Sequence, residues 1–171
     1  MKYLIVIDMQ KDFVDGSLGT KEAEAIVDNV VREINGDYDE IIVTKDTHFE
    51  NYLDSYEGKN LPVVHCVKGT PGWQLDAKVE KALEDKLCVV FEKPTFGSLN
   101  LLNYFRSCEP DEITFVGLCT DICVISKALL LRALLPNTVI SYVEDATAAT
   151  TPAHKVAALA TMNANQIYAK Q

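Results

Sequence analysis

Five short apolar runs rich in β-branched residues recur along the chain, separated by segments with helical spacing. They are YLIVI (3–7), EIIVT (40–44), LCVVF (87–91), EITFVGL (112–118) and TVISYV (138–143). Hydrophobicity that is nearly continuous over so few residues predicts strands buried on both faces of a parallel sheet. Helices are expected near 20–34, 75–86, 98–107, 120–135 and 152–163. This alternation predicts an α/β fold, a doubly wound and mainly parallel sheet with helices on both faces and right-handed crossovers. A short run, QIYA (166–169), is expected to close one edge. Thr151-Pro152 offers a capping hydroxyl before a proline at the first helical position, and Thr120 is expected to cap the helix that carries Cys123.

Residues 45–73 break this rhythm, with one short apolar patch between long polar, glycine-containing stretches. Loops of that length in a compact domain are usually functional or disordered, and the aromatic and histidine content here argues for function. At 171 residues the chain is expected to form one domain, 1–171. Sixteen Lys and Arg against 25 Asp and Glu give a net charge of −9. With no basic stripe, nucleic acid and anionic membranes are not expected partners. The apolar start MKYLIVIDMQ is too short for a signal segment, and no stretch reaches the length of a membrane span. A cytoplasmic location follows as the expectation, with all five cysteines reduced.

In open parallel sheets ligands bind beyond the carboxyl ends of the strands. Asp8 follows the first run, Asp46 and His48 the second, Lys93 the third and CTDIC (119–123) the fourth. Cys123 is expected in a first helical turn, where free N–H groups and the helix dipole favour a thiolate. Position alone does not separate a nucleophile from a small buried hydrophobe, and a single Asp or Lys at a strand end is ordinarily a turn or surface residue. Together, however, Asp8, Lys93 and Cys123 make a set of proton acceptor, cation and nucleophile. Cys119 lies in C-x-x-x-C, not C-x-x-C, spacing. Its backbone N–H, with that of Cys123, is expected to form an oxyanion hole. Asp46, His48, Glu57 and His65 combine two carboxylates and two imidazoles, which suits Zn²⁺, Fe²⁺ or Mn²⁺. His154, beside an apolar helix face, reads as structural.

Three segments carry a resemblance: VIDMQKDF (6–13), FEKPTFGS (91–98) and GLCTDICV (117–124), in that order. They resemble the signature segments of the isochorismatase-like cysteine hydrolases, and EDATAATTPAHKVAALATM (144–162) is similar to the last crossover of that family. The resemblance implies a catalytic triad of Asp8, Lys93 and Cys123 and a cis peptide between Leu118 and Cys119. The donor set Asp46, His48, Glu57 and His65 resembles the metal site of the nicotinamidase branch, in the variant with glutamate for the middle histidine. That branch implies one divalent transition metal, zinc first, and a pocket for a small aromatic amide lined by Phe13, Trp73 and Phe96. Phe96 stands where a tyrosine is common. Family members commonly assemble, and the apolar helix ISKALLLRALL (125–135) has more hydrophobic surface than one sheet face needs, so a homo-oligomer is expected. The activity implied is hydrolysis of nicotinamide to nicotinic acid and ammonia. Two alternatives stay open at this point: hydrolysis of another small amide or a vinyl ether, and a thiol-based redox or metal-responsive binding protein using Cys119 and Cys123.

Overall fold

The computed structural model describes residues 1–170. Its centre is a six-stranded, all-parallel sheet built from β1 (Lys2–Ile7), β2 (Glu40–Asp46), β3 (Cys88–Lys93), β4 (Glu112–Leu118), β5 (Val139–Ala148) and β6 (Tyr168–Ala169). The spatial order is β3-β2-β1-β4-β5-β6. Chain direction across the sheet reverses between β1 and β4, and a doubly wound sheet opens its ligand crevice at that point.

Period-two alternation divides each strand between two cores. Leu4, Val6, Ile41, Val43, Val116 and Leu118 face one side. There they pack under the helices α2 (Lys21–Ala25), α3 (Val27–Ile34) and α5 (Ala77–Leu83), which follow the single-turn helix α1 (Lys11–Val14) and the short helix α4 (Tyr56–Asn60). Tyr3, Ile5, Ile7, Ile42, Ile113 and Phe115 face the other side. They meet α6 (Leu99–Phe105), α7 (Ile125–Leu134) and α8 (Pro152–Ala164). The doubly wound expectation is met, and the layers leave both sheet faces covered.

Several local expectations need correcting. The segment 20–34 is two helices, because Ile26 closes α2 and opens α3. LCVVF is not buried on both faces: β3 is an edge strand, Leu87 is 76% exposed and Val90 50%. Apolarity there reflects strand propensity on a half-covered edge. β5 does not stop at 143 but continues to Ala148 past a register shift opposite Phe115 and Gly117. The polar EDAT stretch hides this continuation, since Glu144 and Asp145 are exposed at the irregularity and Asp145 pairs with Arg32 at 2.8 Å. Thr151 caps α8 by accepting from the His154 N–H, with Pro152 at the first position, as expected.

The irregular region 45–73 is ordered by local contacts. A 3₁₀ turn at Tyr52–Asp54 runs into α4, whose Ser55 cap accepts from the Gly58 N–H at 2.9 Å. His48 forms a parallel bridge with Val67, and a second 3₁₀ turn covers Pro71–Trp73. Among the described residues no helix is long and apolar enough to cross a membrane.

Candidate active site

Register builds the site. Asp46 and Lys93 are directly paired on β2 and β3, and Ile7, just before Asp8, is paired with Thr44 on β2 and Gly117 on β4. The strand ends therefore deliver an acid, a second acid and a lysine to one spot. Asp8 leaves β1 with a φ of +49°, a left-handed conformation that Asp tolerates better than most residues. Its side chain is fully buried, and Oδ1 accepts from the Thr44 hydroxyl at 2.6 Å. Oδ2 has no well-aligned hydrogen-bond donor, although Lys93 Nζ stands 2.9 Å away in charge contact.

Lys93 is the hub of this centre. Its Nζ is 2.9 Å from Asp8 Oδ2, 3.0 Å from Asp46 Oδ1 and 3.6 Å from Cys123 Sγ. Burial works against its charge, but Asp8, Cys123 and Asp46 outweigh burial and hold the ammonium well above the ordinary lysine range. Asp46 is buried too, yet bonds from His48 and His65 and the charge of Lys93 keep its carboxyl well below the usual range.

Cys123 lies in a wide π-type turn, Thr120–Val124, that leads into α7. Thr120 does not cap it. The cap position is Cys119, and the Thr120 hydroxyl is shared with Thr147 Oγ1 at 2.7 Å. The peptide between Leu118 and Cys119 is cis. Contrary to the helix-start expectation, burial pushes the Cys123 thiol up, with Lys93 and Lys127 opposing and Asp8 reinforcing that effect. Cys119 is pushed up to about 12 by burial, with Asp121 adding to the shift.

On the far side of Lys93, Asp46, His48, Glu57 and His65 converge with one donor atom each, all within 4.8 Å of one another. His48 Nε2 lies 2.9 Å from Asp46 Oδ2 and 3.6 Å from Glu57 Oε1; His65 Nε2 lies 3.4 and 3.7 Å from the same two oxygens. Four ligands around a tetrahedral ion stand about 3.3–3.6 Å apart, so the set fits a metal of zinc size. His65 Nδ1 is bonded to the Val63 carbonyl at 2.8 Å, which leaves Nε2 to face the cluster. Asp46 divides its oxygens, Oδ1 to Lys93 and Oδ2 to the imidazoles. Burial and the neighbouring Asp46 raise Glu57 above the usual carboxylate range.

Both constellations open into one cavity of about 320 Å³, reached by Cys123, Asp46, Glu57 and His65 and walled by Phe13 and Phe96. That volume is at the small end for ligand pockets. Trp73 is not among its lining residues. Its indole instead donates to Thr47 Oγ1 at 3.0 Å, lies under Lys45 Nζ at 3.2 Å, and its carbonyl accepts from Gln10 Nε2 at 2.9 Å. The turn that carries Trp73 packs on α1, and the indole N–H is bonded just past the end of β2. His154 is exposed and holds Thr150 at 2.8 Å, in keeping with a structural role.

Two contributors escaped the sequence reading. Gln10 brackets Asp46, accepting its N–H at 2.7 Å and donating to its carbonyl at 2.8 Å. Lys127 is buried with its Nζ 3.7 Å from Asp8 Oδ2. Its signal was present: a lone lysine four residues after Cys123 in the apolar ISKALLL, hence on the same helix face as Cys123.

An isochorismatase domain model matches residues 2–170. The nicotinamidase/pyrazinamidase of Mycobacterium tuberculosis is 31% identical over 141 residues, covering 72% of this chain and 75% of that one. Among solved structures, PnC1 from L. infantum, in complex with nicotinate, is 25% identical with a TM-score of 0.86, covering 100% of this chain and 92% of that one. The pyrazinamidase of Pyrococcus horikoshii, in complex with zinc, is 26% identical with a TM-score of 0.82, covering 99% and 98%. With its cysteine, lysine and aspartate brought together at the strand ends of a 3-2-1-4-5-6 sheet and residues 2–170 matched, the chain belongs to the isochorismatase family.

Proposed function

We propose that the protein is a metal-dependent nicotinamidase, one hydrolase domain over 1–171, that converts nicotinamide to nicotinic acid and ammonia. The observation that carries this reading is the junction at Lys93: one ammonium touches the acid, the nucleophile and a metal-ligand carboxylate, so the thiol and the donor cluster serve one cavity. A relative named as a nicotinamidase/pyrazinamidase and a structural neighbour holding nicotinate support the substrate class.

In this mechanism Asp8 Oδ2, the oxygen without an aligned donor, takes the proton of the Cys123 thiol. The thiolate attacks the amide carbon, and the backbone N–H groups of Cys119 and Cys123 receive the developing oxyanion. Asp8 returns its proton to the departing ammonia and leaves an acyl thioester on Cys123. Asp8 then deprotonates water, which attacks the thioester, releases nicotinic acid and restores the thiol. Lys93 keeps its charge throughout and balances whichever of Asp8 and Cys123 is anionic. Phe13 and Phe96 hold the flat ring between apolar faces. Asp46, His48, Glu57 and His65 would hold a divalent transition ion, zinc first, which when bound would supply a Lewis-acidic partner for the ring nitrogen.

Burial raises both Cys119 and Cys123, which disfavours the thiolate that a redox role would use. Comparison of nicotinamide with benzamide tests the reading, because benzamide lacks only the ring nitrogen. Zinc-loaded protein is expected to lose at least about 100-fold in kcat/KM on benzamide, the discrimination typical of a lost polar anchor. Equal turnover of the two amides would remove the metal–nitrogen contact from the account.

A further inference from the structure

The catalytic centre contains a second buried cation that the mechanism above does not use. Lys127 sits one helical turn after Cys123 on α7 and is 1% exposed. Its Nζ donates to the Phe96 carbonyl at 3.0 Å and to the Cys123 carbonyl at 3.2 Å, and stands 3.7 Å from Asp8 Oδ2. An ammonium at such depth persists only when compensated. Here its compensation is the oxygen proposed to take the thiol proton.

Charge balance shows what it can do. The groups around Cys123 are Asp8 at the end of β1, Asp46 at the end of β2, Lys93 at the end of β3 and Lys127 on the turn's own helix. Lys93 is engaged by both carboxylates, at 2.9 and 3.0 Å. Asp8 and the sulfur share the Lys93 ammonium with Asp46, and Lys127, 3.7 Å from Asp8 Oδ2, adds a second positive charge on the Asp8 side of the cluster. It also ties Phe96, a wall of the cavity, to the backbone of the nucleophile.

We propose that Lys127 is a positioning residue of this centre: its buried ammonium, fixed by the carbonyls of Phe96 and Cys123, supplies the second positive charge that makes the Cys123 thiolate attainable beside Asp8. The inference rests on the nucleophile assignment above but not on the identity of the amide. Burial lowers Lys127 from the usual lysine range, with Asp8 and Cys123 pulling it back up.

The test is the pH dependence of Cys123 alkylation by iodoacetamide in zinc-loaded protein, with the Cys123 peptide quantified by mass spectrometry. Lys127→Gln and Lys127→Met remove the charge, and Gln can keep a bond to a carbonyl. In whichever of these neutral variants folds, the midpoint is expected to move up by about one pH unit, the scale set by one lost neighbouring charge. Alkylation near neutral pH should then slow about tenfold. Lys127→Arg keeps the charge at all pH values and is expected to retain the wild-type midpoint. An unchanged midpoint in the neutral variants, or an equal shift in Lys127→Arg, would overturn the proposal and reduce Lys127 to a neutral tether between two carbonyls. Alkylation displaces iodide and cleaves no amide bond, so this outcome is separable from failure of the nicotinamide reading.

Discussion

At the residue scale the site is a division of labour between the two oxygens of each carboxylate. Asp46 gives Oδ1 to Lys93 and Oδ2 to the imidazoles, while Asp8 gives Oδ1 to Thr44 and keeps Oδ2 for the nucleophile side. His48→Ala removes one of four metal donors and leaves Asp46 and Glu57 facing each other with one imidazole fewer. Zinc affinity is expected to fall by at least about 100-fold, more than loss of an outer partner costs. Competition with a fluorescent zinc chelator measures it, and an unchanged affinity would displace His48 from the site. The seven residues that converge around Lys93 and in the donor cluster were legible in the chain because each follows a strand-like run or lies in the one irregular stretch. Lys127 carries only its spacing from Cys123 as a signal, and that signal is weak because a lysine on an apolar helix ordinarily extends its stem along the surface with its charge in water. Trp73 was misplaced for the opposite reason: a lone tryptophan in a turn suggests a ligand surface, but here it stacks under Lys45 and supports Gln10.

At the element scale, the β1–β4 crevice depends on a glycine. Gly117 has a φ of +109°, and a Cβ added there would lie 2.1 Å from the Ile7 carbonyl oxygen on β1. Gly117→Ala therefore must push β4 away from β1 at the place where Asp8 and Cys119 leave their strands. A loss of about 3 kcal/mol or more is expected in urea unfolding, the cost of an incompatible backbone with a buried clash. A wild-type midpoint would show that the crevice can widen freely. The strands were legible because burial on both faces leaves unbroken apolar runs, and helix starts were legible where a hydroxyl precedes proline, as at Thr151. What failed was local geometry set by tertiary partners. The π-type turn replaced the expected Thr120 cap because that hydroxyl is committed to Thr147 across the sheet. β5 ran on past 143 because pairing with β4, and not its own hydrophobicity, carries it to Ala148.

At the scale of the whole molecule, the fold places its costliest groups together at the switch point and buries them, which gives stability a direction with pH. Burial raises Cys66, Cys119 and Cys123, and the surrounding carboxylates raise Lys93 against its own burial. A group whose folded value lies above its unfolded one holds protons that the unfolded chain has released, so stability falls as pH rises through that interval. For the thiols the interval opens near 9.0, and for Cys119 it closes at about 12. Lys45 and Lys127 run the opposite way, since burial lowers both. Three thiols and Lys93 outnumber them, so the urea midpoint is expected to drop steadily above about pH 9, with a flat or rising profile contradicting the buried-thiol picture.

The most direct test of the central claim is ammonia release from nicotinamide by zinc-loaded protein and by Cys123→Ala, with metal content determined on the same samples. The account predicts turnover in the wild type and a loss on the order of 10⁵-fold or more in the variant, as for removal of a catalytic nucleophile, with zinc content unchanged. Turnover that survives in Cys123→Ala would contradict the nucleophile and, with it, the mechanism built around Asp8 and Lys93.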